Sequence, residues 1–158
     1  LDFGFSQDET AAVKAWIHTD KLYIEHELYE KRLELDDTAK ALIDALPGVE
    51  KHAIRADNAR PESISYLKRN GIPRIEACQK GKGSVEDGVE FIKSFAEVII
   101  HPRCENTANE FMLYSYKIDR HSGDILPVIV DANNHAIDAL RYALEPIMKK
   151  SSYSWSGF

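Results

Sequence analysis

Cysteine is scarce in this 158-residue chain, and the two present, Cys78 and Cys104, stand far apart and form no CxxC pair. That pattern argues against zinc and against a disulfide framework, and reduced thiols fit an intracellular chain. Long apolar runs are missing as well: none approaches the roughly 20 residues that span a bilayer, and no signal peptide opens the sequence. A cytosolic protein with no membrane partner is the expectation. No G-x-x-x-x-G-K-[ST] phosphate loop occurs, so this chain is not expected to hydrolyse ATP. Internal repeats, low-complexity tracts and a domain linker are absent too. The sequence opens at Leu1 with no initiator Met, which fits a domain cut from a longer protein.

What is present suffices for one core. Hydrophobic residues at 44% and charged residues at 29% are ordinary for a globular domain of this length. The net charge of −6 weighs against a broadly basic surface. It leaves room for a local basic groove, or for carboxylates gathered around metal cations.

Leu1-Asp2-Phe3-Gly4-Phe5 reads as a first strand, with Leu1, Phe3 and Phe5 on one face and Asp2 and Gly4 on the other. An Asp among large apolar residues is expensive to bury unless something positive or hydrogen-bonding meets it. After a polar turn, Thr10–His18 and Lys21–Tyr29 read as strands two and three of a meander, joined at Thr19-Asp20. A helix start at Asp36-Asp37-Thr38 is followed by Ala39, Leu42, Ile43 and Leu46 at helical spacing, until Pro47-Gly48 stops it. His52–Ala56 is a short strand that delivers Asp57 at its C-terminal end, just before a helix over Ser63–Asn70. In open α/β sheets, ligands bind at such strand ends.

The alternation continues. Ile72–Ala77 and Val98–Ile100 are strand candidates, Val85–Phe95 and Glu105–Tyr114 helices, and Lys80–Ser84 a basic, glycine-containing loop. Ser115–Ile118 and Ile125–Val130 flank a polar turn and read as a β-hairpin with Ser-Gly at its tip. In the last helix Asn133 or Asn134 is a candidate cap, and Ile137, Leu140, Leu144 and Ile147 form the apolar stripe. Asp138 lies beside that stripe, one turn after His135. Residues 151–158 read as a tail outside the domain of residues 1–150.

Three aspartates therefore stand on three separate elements. Carboxylates brought together repel one another, and hard divalent cations with oxygen ligands relieve that repulsion. Mg²⁺ held this way suits phosphoryl transfer.

With these motifs in hand, the chain resembles a ribonuclease H-like nuclease. The segments Leu1–Ser6, Ala56–Ser63 and Asn134–Ala143 are similar to motifs of the C-terminal nuclease domain of tailed-phage large terminase subunits. The resemblance implies an α/β fold, a mixed central sheet flanked by helices with an added β-hairpin. It implies that Asp2, Asp57 and Asp138 bind two Mg²⁺ or Mn²⁺ ions, with His135 near the last acid orienting a ligand or steering the phosphate. Glu62, Asp8 and Asp131 are reserve acids. Arg60, Lys80, Lys82, Lys117 and Arg120 are the candidates for contacting DNA phosphates.

The activity so implied is metal-dependent endonucleolytic cutting of concatemeric viral DNA during headful packaging, in the host cytoplasm at the procapsid. The implied partners are double-stranded DNA, an ATPase motor in the same parent chain, the small terminase subunit and the portal. A resolvase or transposase domain would use the same fold and metals. A sugar kinase or other actin-like ATPase shares the Asp2-Gly4-Ser6 opening, but the chain is too short for its two halves. A non-catalytic module that docks DNA or the portal is the alternative from a different class.

Overall fold

The computed structural model of the chain describes residues 1–4, 8–130 and 132–154. Its spine is a hairpin of two long strands, β1 (Glu9–His18) and β2 (Lys21–Lys31), paired antiparallel. Thr19 takes a φ of 59° in the turn between them. The register shifts partway: Lys14 faces His26, Ala15 faces Ile24, and Glu25 is the extra residue of a β-bulge. Side chains alternate along a strand, so an extra residue moves every later one to the opposite face. Leu22 and Ile24 therefore pack on the same side as Glu27 and Tyr29, whereas Leu28 lies on the other side in a different core cluster.

From β2 the chain runs through α1 (Leu35–Ala45), a short 3₁₀ turn at Val49–Lys51, β3 (Ile54–Ala56), α2 (Pro61–Arg69) and β4 (Ile75–Ala77). It continues through α3 (Ser84–Lys93), β5 (Glu97–Ile100), α4 (Glu105–Leu113), β6 (Tyr116–Ile118), β7 (Ile125–Ile129) and α5 (His135–Ser154). β5 joins β2 in parallel, β3 and β4 pair in parallel, and β6 and β7 form the expected hairpin.

The segment Leu1–Gly4 joins the first two sheets. Asp2 exchanges both backbone hydrogen bonds with Ala11 of β1, at 2.7 and 2.9 Å. On its other side the Leu1 nitrogen donates to Arg55 O at 2.6 Å and Leu1 O accepts from Asp57 N at 2.9 Å. That is a parallel pairing with β3. The backbone connections thus run β5, β2, β1, Leu1-Asp2, β3, β4, and the sheet is mixed as expected.

The first strand is shorter than the sequence predicts, and Phe5 lies outside the described residues. Pairing stops after Asp2 because the Gly4 N–H turns to the Thr10 hydroxyl at 3.0 Å. Gly4 is needed for closeness rather than for access: a Cβ there would lie 2.4 Å from Asp8 O and 2.7 Å from Thr10 N.

Helices cover both faces. Leu42 of α1 and Leu67 of α2 are fully buried with Leu28, Ile72 and Ile75 on one side. Leu22, Ile24, Ile92, Leu140 and Leu144 form the core on the other side, beneath α3, α4 and α5. Truncating Leu42 or Leu140 to Ala would cost about 2–5 kcal/mol, the range for a well-packed site.

Boundaries move for local reasons. α2 begins at Pro61, whose fixed φ and missing N–H suit a first helical position. β4 starts only at Ile75, because Ile75 N bonds back to Ile72 O in a turn around Pro73. α5 runs on to Ser154, into the segment read as a tail. Among the described residues no helix is long and apolar enough to cross a membrane.

Candidate active site

Backbone pairing brings the first two aspartates side by side. Asp2 is buried beside β1, and Asp57 follows β3 immediately, its N–H donating to Leu1 O. One oxygen of Asp57, Oδ1, accepts the Ala59 N–H at 2.9 Å and so folds the carboxylate over the turn into α2.

The third acid arrives from α5, whose start is held in place from a distance. The buried Glu110 carboxylate, on α4, accepts the backbone N–H groups of Ala136 and Ile137 through Oε2 at 2.8 and 3.0 Å. These are first-turn groups with no partner inside their own helix. Tyr29 of β2 donates its hydroxyl to the other oxygen of Glu110 at 2.9 Å. Burial raises the Glu110 carboxyl above its ordinary range, against the pull of those hydrogen bonds. Glu27 caps α4 in the same way, accepting from Asn106 N at 3.0 Å and Thr107 N at 2.8 Å. The bulge in β2 is what turns both Glu27 and Tyr29 toward these helices.

So anchored, α5 delivers His135 between two acids. Its Nδ1 lies 3.1 Å from Asp2 Oδ2 and its Nε2 lies 3.3 Å from Glu9 Oε2. The bond to Asp2 raises the imidazole above its usual range despite burial. With both ring nitrogens facing carboxylates, the imidazolium is the form that donates to each. One turn on, Asp138 sits largely enclosed. Burial raises its carboxyl, and the negative charge of Asp2 adds to that effect. Tyr142, a further turn along and buried, is raised chiefly by burial and then by the charges of Asp138, Asp2 and Asp57.

Arg141 and Lys80 meet the other two acids. Arg141 donates twice to Asp138 Oδ1, from Nη2 at 2.7 Å and Nε at 3.1 Å, and its Nη1 holds Ser84 O at 3.1 Å. Lys80 Nζ lies 2.7 Å from Asp57 Oδ1 and 4.9 Å from the centre of the Tyr142 ring. Lys80, Lys82, Arg141 and Tyr142 share a groove of about 290 Å³ beside the acids.

The remaining sequence candidates are scattered. Arg60 opens onto a second groove, with Phe3, Gly4 and Asp8. Lys117 and Arg120 are exposed on the β6–β7 hairpin, which meets α3 where Lys93 donates to the Tyr116 hydroxyl at 3.2 Å. Glu62 is exposed on the first turn of α2, and Asp131 lies outside the described residues. No local pattern in the sequence marks Glu9, Tyr29 or Glu110, because each reaches the start of α5 from a remote element. Only the Asp138–Arg141 pair, three apart on a helix, carries a local signal.

Among the described residues no three His, Cys, Asp or Glu side chains stand in a metal-holding group. The donor chemistry nonetheless suits a hard divalent ion: carboxylate oxygens with no thiolate among them. The Lys80 ammonium and the Arg141 guanidinium stand where positive charge is sought.

A model of the terminase RNase H-like domain matches residues 2–146. The chain belongs to that family. This terminase domain is 39% identical to the large subunit of the terminase of Bacillus phage SPP1, over 99% of its own length and 37% of that protein. It is 31% identical to the PBSX phage terminase large subunit of Bacillus subtilis, over 92% of its length and 33% of the relative. It thus spans about a third of those proteins. The crystal structure of the SPP1 large-terminase nuclease domain with bound Mn superposes with a TM-score of 0.84 at 36% identity, covering 92% of this chain and 83% of that one. The large terminase of a thermophilic bacteriophage shares the fold, with a TM-score of 0.68 at 18% identity, covering 93% of this chain and 38% of that one.

Proposed function

We propose that this terminase domain is a metal-dependent DNA endonuclease that cuts concatemeric viral DNA during genome packaging. The observation that carries the reading is that backbone pairing sets Asp2 beside Asp57, while α5 meets Asp2 through His135 Nδ1 at 3.1 Å, one turn before Asp138. Membership of the terminase family, and the Mn bound by its SPP1 relative, support it.

In this reading the three aspartates hold two Mg²⁺ or Mn²⁺ ions. Such ions supply Lewis-acid activation of water and charge neutralisation on the scissile phosphodiester and leaving oxygen. Asp57 is tied to a turn and Asp138 to a capped helix, so little reorganisation is required of them when charge develops. His135, held between Asp2 and Glu9, carries positive charge to the edge of the site and steers the phosphate. Lys80, Lys82 and Arg141 line the groove through which the DNA backbone approaches, and Arg60, Lys117 and Arg120 contact phosphates farther out. The domain's net charge of −6 predicts weak DNA binding in isolation. Attachment to an ATPase motor in the parent chain, working with the small terminase subunit and portal in the host cytoplasm, would raise the local DNA concentration.

Plasmid digestion tests the reading, with EDTA, Mg²⁺ or Mn²⁺, on the native chain, Asp57→Asn and Asp138→Asn. Metal-dependent cutting lost in both variants is the expected result. A folded native chain that leaves plasmid intact with every metal would favour the non-catalytic docking module.

A further inference from the structure

We infer that Lys80 is a built-in counter-ion of the site, which competes with the metal for Asp57 and is drawn away by DNA phosphate. The inference rests on the proposed role of Asp57 as a metal ligand, and it adds a coupling between the two binding events.

The two side-chain cations differ in how they are held. Arg141 is 7% exposed, bonded twice to Asp138 and once to the Ser84 carbonyl, with its stem packed against Gly88. It cannot leave without breaking that packing. Lys80 is exposed, and its loop carries Gly81, around which a Cβ would meet nothing within 4 Å, and Gly83, at a φ of 79°. The Lys80 ammonium rests between the Asp57 carboxylate and the face of the Tyr142 ring. A carboxylate and an aromatic face are both attractive to a cation, yet neither holds a flexible lysine irreversibly.

Asp57 Oδ1, the oxygen that Lys80 engages, already accepts the Ala59 N–H. A divalent ion ligated by Asp57 would face the ammonium at close range, and like charges there repel. Metal entry therefore favours departure of Lys80. A phosphate in the groove that Lys80 and Lys82 line offers the ammonium a new partner. Each ligand thus eases binding of the other, and the coupling is reciprocal. A domain without DNA keeps its metal affinity low.

Two measurements on the 158-residue chain test this. Calorimetric titration with MnCl₂ at low salt compares native, Lys80→Gln and Asp57→Asn. Lys80→Gln is expected to bind Mn²⁺ about threefold or more tightly, the scale of a partly exposed ion pair, and Asp57→Asn more weakly than native. Equal affinity in native and Lys80→Gln, with Asp57→Asn weakened, overturns the counter-ion role alone. Unchanged affinity in Asp57→Asn overturns it together with the assignment of Asp57 as a ligand. The second measurement is fluorescence anisotropy of a short DNA duplex in EDTA, where nothing is cut. Asp57→Asn releases Lys80 and is expected to bind the duplex several-fold more tightly than native. Adding Lys80→Gln should remove most of that gain, whereas a full gain in the double variant overturns the hand-over to phosphate.

Discussion

Gly88 on α3 sits directly against the stem of Arg141 on α5: a Cβ at position 88 would lie 2.8 Å from Arg141 Cδ and 3.1 Å from Cγ. Alanine is favoured over glycine inside a helix by about 1 kcal/mol, but overpacking against a pinned neighbour costs about 1–3 kcal/mol. Because Arg141 is fixed at its head by Asp138 and Ser84, the steric term is expected to win. Gly88→Ala should lower the melting temperature by a few degrees and slow DNA cutting by shifting the Arg141–Asp138 pair. A thermal melt equal to or above native, with unchanged cutting, would mean that Arg141 moves freely.

Glu110 makes stability depend on pH. Its folded-state carboxyl is raised above the ordinary 4.5 by burial, so the folded chain holds the proton more tightly than the unfolded one. The contribution to stability is full below that ordinary value and is lost as pH rises through the folded value. Glu110→Gln removes this titration and should flatten that part of the profile in urea melts from pH 4 upward. Glu110→Ala, which strands the Ala136 and Ile137 N–H groups, should cost about 1–3 kcal/mol, with the larger loss at low pH. A native profile with no fall in this window, or one that Glu110→Gln leaves unaltered, would contradict the assignment.

The hairpin is separable from the core. Ile118 and Ile125 face each other across it at 63% and 74% exposure, so neither anchors the domain. Its tip is self-contained: Asp119 Oδ1 accepts the N–H groups of His121 and Ser122 at 2.7 and 2.9 Å, and Gly123 takes a φ of 77°. Shortening residues 119–124 to a two-residue turn is expected to leave the melting temperature and Mn²⁺ affinity within error of native while changing the rate of plasmid digestion. Identical digestion would remove the hairpin from any part in cutting.

The sequence makes some of this legible and hides the rest for definite reasons. Asp57 is visible because Pro61 and Glu62 announce a helix soon after a strand, and Asp138 because it flanks an apolar stripe of helical period. Lys80 reads as a loop cation that could contact DNA phosphate, and its pairing with Asp57 stays hidden because it is a tertiary contact. The caps supplied by Glu27 and Glu110 come from elements remote from the helices they cap, where no local spacing rule reaches. Leu22, Ile24 and Leu28 recur at even intervals and so read as one strand face, yet they divide between two cores.

That division makes position 25 a matter of parity. Many side chains can occupy it, because Glu25 has no residue opposite it in the ladder and its ion pair is with the partly exposed Lys14 ammonium, at 3.8 Å. Its removal would barely shorten β2, yet it would exchange the two faces of everything beyond: Leu28 would turn toward α5, and Glu27 and Tyr29 toward α1. Substitution at this site should therefore pass almost unnoticed, whereas loss of the residue would dismantle the supports of α4 and α5 together. The strand is in effect counted rather than spelled.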